Sequence, residues 1–210
     1  ATDGEGLYVE STFTVTVAGV NDAPTRTAAT VAMPTAATED TDGDAGKKTV
    51  TDLFSSVFSD AKDAVAGSTS AGGLAGVAIT TNGALGTQGQ WQYSTDGTVW
   101  TNLPAVGTAT AFLLKTTDYL RFDPADNFHG TPGGLTARLV DDSGAAIVTG
   151  NTADVSDDVT KSGGTTRYSN SSNAVTLSTT VTNVNDRPTA TATTLAATTE
   201  DLANPAGALV

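Results

Sequence analysis

The chain has 210 residues, 38% of them hydrophobic, which is enough apolar material to build a core. Its 23 acidic and 10 basic side chains leave a formal charge of -13, which argues against nucleic acid or an anionic membrane surface as partner and favours a cation. The absence of cysteine excludes disulfides, thiolate metal sites and a cysteine nucleophile, and no apolar run approaches the roughly 20 residues needed to span a bilayer.

The chain opens in mid-pattern at Ala1-Thr2-Asp3-Gly4, as expected of a fragment cut from a longer protein. Thr and Val alternate over 12 to 17, the period of two of a half-buried strand, and Val, Leu and Thr alternate likewise over 175 to 181. Between these lie strand candidates at 27 to 33, 74 to 81, 89 to 95, 98 to 103, 110 to 115, 118 to 122, 134 to 141, 145 to 149 and 166 to 169. Gly, Asn, Asp and Pro punctuate nearly every gap. The sharpest turn signal is Asp96-Gly97, expected to join Trp91-Gln92-Tyr93 to Val99-Trp100 as a hairpin. Only 52 to 58 reads as helical, with Thr51 as its cap and apolar residues at three- and four-residue spacings. Many short strands and one short helix predict an all-β sandwich with Greek-key connections.

The organisation comes from an internal repeat. Val20-Asn21-Asp22-Ala23-Pro24 returns 164 residues later as Val184-Asn185-Asp186-Arg187-Pro188. A strand-like segment precedes each copy, 13 to 19 and 177 to 183. An acidic pair follows each, Glu39-Asp40 and Glu200-Asp201, with a shift of three residues. The expected units are therefore the last strand of a preceding repeat (1–24), one complete repeat (25–188) and the first strand of a following one (189–210).

Several segments extend the pattern in a fixed order. They are Val50-Thr51-Asp52-Leu53-Phe54, Phe58-Ser59-Asp60-Ala61, Gly76-Val77-Ala78-Ile79 and Gly89-Gln90-Trp91-Gln92-Tyr93-Ser94-Thr95-Asp96-Gly97, followed by Leu120-Arg121-Phe122-Asp123-Pro124, Phe128-His129-Gly130-Thr131 and Leu135-Thr136-Ala137-Arg138. In this order they resemble the immunoglobulin-like and cadherin-like tandem repeats of giant bacterial adhesins, including RTX adhesins exported by type I secretion. The resemblance covers nearly all of 13 to 201. It implies a calcium-dependent spacer on the extracellular bacterial surface, a rod that carries a ligand-binding region away from the cell. Its partners would be neighbouring repeats, with head-to-tail self-association through the two incomplete ends.

Calcium needs six to eight oxygen ligands at about 2.3 to 2.6 Å, so several segments must converge. In the linker motif Asp22 and Asp186 each precede a Pro that stiffens the exit, and a shared ion there would lock adjoining units. The alternative is that Asn-Asp-x-Pro is simply a good turn. Glu39 and Asp40, with Asp42 and Asp44, resemble the start of an EF-hand loop. That loop fails at Ala45 and Thr51, where Gly and a bidentate Glu belong, leaving an irregular site or a solvated acidic loop. Asp60 and Asp63 stand where repeats of the family carry a denser acidic run, but Lys62 between them could neutralise a neighbour in place of a metal. Asp123 and Asp126 occupy a Pro-containing loop of the kind that donates ligands at a sandwich end, and Glu200 is the repeat counterpart of Glu39. Asp141-Asp142 and Asp157-Asp158 read as ordinary turn residues.

No Gly-x-Ser-x-Gly elbow accompanies His129, the only histidine, so the chain is read as non-enzymatic, with His129 hydrogen-bonded within its own loop. The rival reading is a carbohydrate-binding module that stacks sugars on Trp91, Tyr93 and Trp100. Alternation places Trp91 and Tyr93 on one face, where burial across the sandwich is the commoner fate.

Overall fold

In the computed structural model, residues 10–15, 19–63, 72–192, 194, 197 and 200 are described. The strands are β1 (Thr25–Arg26), β2 (Thr30–Ala32), β3 (Ala37–Thr38), β4 (Lys48–Thr49), β5 (Phe58–Ser59), β6 (Leu74–Asn82), β7 (Gly89–Ser94), β8 (Thr101–Asn102), β9 (Ala111–Lys115), β10 (Tyr119–Pro124), β11 (Leu135–Asp141), β12 (Thr152–Ala153), β13 (Val175–Ser178) and β14 (Val181–Thr182). A six-stranded sheet in the order β12-β9-β6-β11-β13-β2 faces a four-stranded sheet in the order β4-β10-β7-β8. The fold is an all-β sandwich with one short helix. No helix among the described residues is long and apolar enough to cross a membrane.

Alternation sorts the four-stranded sheet cleanly. Trp91 on β7 and Leu120 and Phe122 on β10 point inward and are essentially fully buried, whereas Gln92 and Asp123 point outward. Trp91 meets Phe122 edge to face at 5.3 Å and donates its indole N–H to the Gly133 carbonyl, so its one polar atom is satisfied inside the core. Tyr93 packs on Phe112 of the facing sheet. The six-stranded sheet is buried on both faces, because the 154–173 segment folds over its outer side and packs Val155 and Tyr168 on Ala78, Ala111, Leu113 and Val140. This explains why β9 reads as the unbroken apolar run Ala111-Phe112-Leu113-Leu114. Two parallel pairings, β2 with β13 and β3 with β14, tie the start of the unit to its end.

The helix, α1 (Val50–Phe54), starts two residues before the expected span and continues as a 3-10 turn over Ser55–Val57. Its cap is Thr49, not Thr51. Thr49 Oγ1 accepts from the Asp52 N–H while an Asp52 carboxylate oxygen accepts from the Thr49 N–H, a capping box with Asp in place of Glu. Val50, Leu53 and Phe54 then fall on the buried face.

Three strand expectations are corrected. Thr98–Trp100 belong to a loop, not a strand, because Asp96 Oδ1 accepts from the N–H groups of both Thr98 and Val99. The strand resumes at β8, with Gln92 opposite Asn102. Residues 145–149, expected as a strand, are irregular, and the edge of the six-stranded sheet is β12. Of 166–169 only Tyr168 makes a bridge, to Val140. In the leading segment, residues 10–15 form no strand and are exposed, and 16–18 lie outside the described residues. Phe13, 86% exposed, stands in the repeat where Leu177 is fully buried, so its apolar side chain lacks the sandwich that buries its counterpart.

Candidate metal centre

β11 runs between the two ends of the sandwich. At its Leu135 end it pairs with Leu177 of β13, and the chain beyond β13 reaches Val181, which bridges Gly130. At its other end is Asp141, paired with Leu74. The two linker motifs sit at these opposite poles, Asn21-Asp22 against Asp141 and Asn185-Asp186 beyond β14.

At the Asn21 pole four aspartates from two segments, Asp60 and Asp63 and then Asp141 and Asp142, lie close to one another. Asp63 is 3% exposed, Asp141 is fully buried and Asp60 has both carboxylate oxygens shielded from solvent. Among the described residues neither oxygen of Asp60 has a hydrogen-bond partner, and neither does the buried Asn21 Oδ1. Burial, followed by repulsion from Asp63, Asp141 and Asp142, pushes the Asp60 carboxyl up to about 6. The Gly72 N–H approaches close enough to offset part of this without reaching hydrogen-bond geometry. A Cβ at Gly72 would fall 2.2 Å from Asp60 Oδ2, so a larger residue there would push the carboxylate aside.

The linker closes over this cluster. The Asp22 N–H donates to both oxygens of Asp63 at 2.9 and 3.1 Å, and Asn21 Nδ2 donates to the Thr165 and Thr166 carbonyls and, at 3.5 Å, to Asp141 Oδ2. Asp22 thus contributes through its backbone. Asp142 Oδ1 accepts from the Gly73 N–H.

No cation among the described residues pairs with these carboxylates. Lys62 is exposed and makes no ion pair, so the neutralisation weighed for it is not seen. Arg167 directs Nε and Nη2 to the main-chain carbonyl of Asp141 rather than to its carboxylate. The adjoining stretch 64–71 contains no Lys or Arg in sequence. Buried carboxylate and amide oxygens are the donor type that a hard divalent cation such as calcium takes, but no three of these carboxylates bring oxygens within 4.8 Å of one another, so an ion here would have to draw them closer.

At the opposite pole, carboxylate oxygens of Glu39, Asp40 and Asp186 lie within 4.8 Å of one another. Glu39 is fully buried. Its Oε1 accepts from the Val184 N–H at 2.6 Å and from Asn183 Nδ2 at 2.7 Å, and its Oε2 faces His129 Nδ1 at 3.4 Å. His129 therefore reaches across the fold to Glu39 rather than bonding within its own loop. Asp40 holds a left-handed backbone (φ 61°) and accepts from the Asn127 N–H, itself at φ 58°. This donor set is also mainly oxygen and fits the same class of ion.

The remaining expected ligands lie elsewhere. Asp44 pairs with Lys47 and Arg121, and Asp42 caps the Asp44 N–H, so neither joins Glu39. Asp123 points out from the four-stranded sheet and accepts from Gln92. Asp126 is exposed beside Asn127, and Glu200 is exposed. Asp141 and Asp142 were read as turn residues. Asp141 does cap the turn through Ser143, yet it also ends a buried strand inside the acidic cluster. The available signal is its place at the close of the strand Leu135–Asp141, after the apolar positions 135, 137, 139 and 140.

Fold and site together define an all-β sandwich with oxygen-donor clusters at its two poles. No family model matches the chain, and neither a curated protein nor a solved structure matches it.

Proposed function

We propose that this chain is a calcium-stabilised spacer repeat of an extracellular bacterial surface adhesin, in which ions at the two poles stiffen the joints to neighbouring repeats. The reading rests on one observation above all: among the described residues, Asp60 holds two buried carboxylate oxygens without a hydrogen-bond partner beside Asp63, Asp141 and Asp142, and no cation there pairs with them. Such a cluster opposes folding unless a bound cation offsets it. Asp60, Asp63, Asp141 and Asn21 would hold an ion at one pole, and Glu39, Asp40 and Asp186 at the other. A bound calcium supplies positive charge and coordination, and no chemical conversion is assigned to the repeat.

The poles and linkers support the rod-like part of the reading. By the repeat, Asn185 and Asp186 would serve a following unit as Asn21 and Asp22 serve this one, while Asp186 also stays near Glu39 of its own unit. Each linker would then belong to two units, and the opposite placement of the poles suits head-to-tail extension. The resemblance to adhesin repeats supports the extracellular setting.

The test is thermal unfolding with calcium and with EGTA. Calcium at a hundredfold excess over its dissociation constant adds about 2.7 kcal/mol. For a domain of this size that raises the midpoint by roughly 5 to 10 °C. An unchanged midpoint at millimolar calcium would overturn the proposal.

A further inference from the structure

We infer that the outer face of the four-stranded sheet is a binding platform for neutral oligosaccharides, a function beyond that of a spacer. The rival sugar-binding reading fails for Trp91, which is fully buried, and for Tyr93, which is packed on Phe112. Trp100 is different. Its ring centroid lies 4.3 Å from the Arg121 guanidinium, and Arg121 is only 7% exposed, so the indole lies over the cation as a lid. One ring face is thereby taken by Arg121, and Trp100 is part-buried, which leaves some of its surface to solvent.

Beside this ring the outward positions of adjacent strands carry planar hydrogen-bonding groups held in fixed positions. Gln92 Nε2 donates to Asn102 Oδ1 at 2.8 Å and to Asp123 Oδ2 at 3.1 Å, and Gln92 Oε1 accepts from Arg121 Nε at 2.8 Å. Arg121 Nη1 is anchored on Asp44 at 3.0 Å. This network leaves Asn102 Nδ2, Asp123 Oδ1 and the amide of the exposed Gln90 without partners among the described residues.

An aromatic face next to prepositioned amide and carboxylate groups suits a pyranose. The C–H edges of the sugar carry partial positive charge and complement the negative face of the indole, while its hydroxyls both donate and accept. Because the groups are already held in place, little ordering cost accompanies binding. The ligand should be uncharged. The platform carries Asp44 and Asp123 against Arg121, and the chain's charge of -13 repels acidic polysaccharides.

The experiment is saturation-transfer NMR on the 210-residue chain with maltotriose, cellotriose and β-1,4-galactotriose at millimolar concentration, in calcium and in EGTA. Transfer to at least one trisaccharide is expected. Trp100→Ala should abolish it, and the exposed Asn102→Ala should weaken binding by about tenfold. Trp100→Phe should retain it, which separates loss of stacking from loss of fold. No transfer to any of the three, or transfer undiminished in Trp100→Ala and Asn102→Ala, would overturn the inference. So would concentration-dependent sedimentation removed by Trp100→Ala, which would make the face a contact between copies. None of these outcomes bears on the calcium reading, whose test is the unfolding midpoint.

Discussion

The N–H of Asp22 donates to both carboxylate oxygens of Asp63, joining the linker to the body of the sandwich across 41 residues of sequence. This bond uses a donor but no cation, so the charge of Asp63 stays uncompensated beside Asp60 and Asp141. The linker's position and the charge of the cluster are therefore connected, because whatever stabilises the ionised cluster also fixes the linker that crosses it.

Asp60→Asn should separate the cost of this cluster from its use. Removing one charge from a mutually repelling set relieves the calcium-free protein, so its unfolding midpoint in EGTA at pH 7 should rise by a few degrees. The same change removes a ligand oxygen, so the calcium-dependent increment should shrink. A variant that is less stable than the parent in EGTA would show that Asp60 is held by a favourable contact instead.

The pH dependence has a definite sign. Asp60 has a folded-state pKa of about 6, above its ordinary value, so the folded protein binds this proton more tightly than the unfolded chain does. Its contribution to stability is fully present below the unfolded carboxyl value and is lost as pH rises through about 6. The opposing groups are Asp44, Asp96, Asp154, Asp157 and Asp158, whose carboxyls are held low by hydrogen bonds to turn N–H groups, to hydroxyls and, at Asp44 and Asp154, to Lys47 and Lys161. They withdraw stability only as pH falls below the ordinary carboxylate range. In EGTA the midpoint should therefore rise on going from pH 7 to pH 5, and calcium should flatten or reverse the trend. A calcium-free midpoint that falls over that interval would contradict the protonation assigned to Asp60.

Glu39 predicts a contrasting behaviour at the other pole. Its buried carboxylate satisfies the Val184 N–H and the Asn183 amide, so Glu39→Ala strands two donors whether or not an ion is present. The loss should be about 1 to 3 kcal/mol in EGTA as well as in calcium, measured by denaturant unfolding. Asp186→Ala touches an exposed residue and should leave the EGTA value unchanged while reducing the calcium increment. If both variants behave alike in EGTA, the division between structural and ligand roles at this pole is wrong.

Local signals in the sequence carried much of the fold. Alternation placed Trp91 and Tyr93 inward and Gln92 outward, because a strand's side chains must alternate and only one face of that sheet is buried. The alternation over 175 to 181 agrees with the burial of Val175 and Leu177. Alternation was silent about the 154–173 segment, whose folding over the six-stranded sheet depends on contacts such as Arg138 with Asp158 and Tyr168 with Val140, far apart in the chain. The helix cap moved from Thr51 to Thr49 because Asp52 can close the box only from three residues away.

Among the candidate ligands, the sequence by itself determined the repeat, the acidic excess and the linker motifs, since these are properties of residue order and composition. Tertiary structure alone decided which carboxylates meet. Asp60, Asp63 and Asp141 share one buried site, Glu39 joins Asp186 across the unit, and Asp44 and Asp123 turn to the outer sheet face with Arg121 and Gln92. The reason is physical: a metal site draws oxygens from segments brought together by strand pairing, and a carboxylate's spacing along the chain says nothing of the pole at which its strand ends.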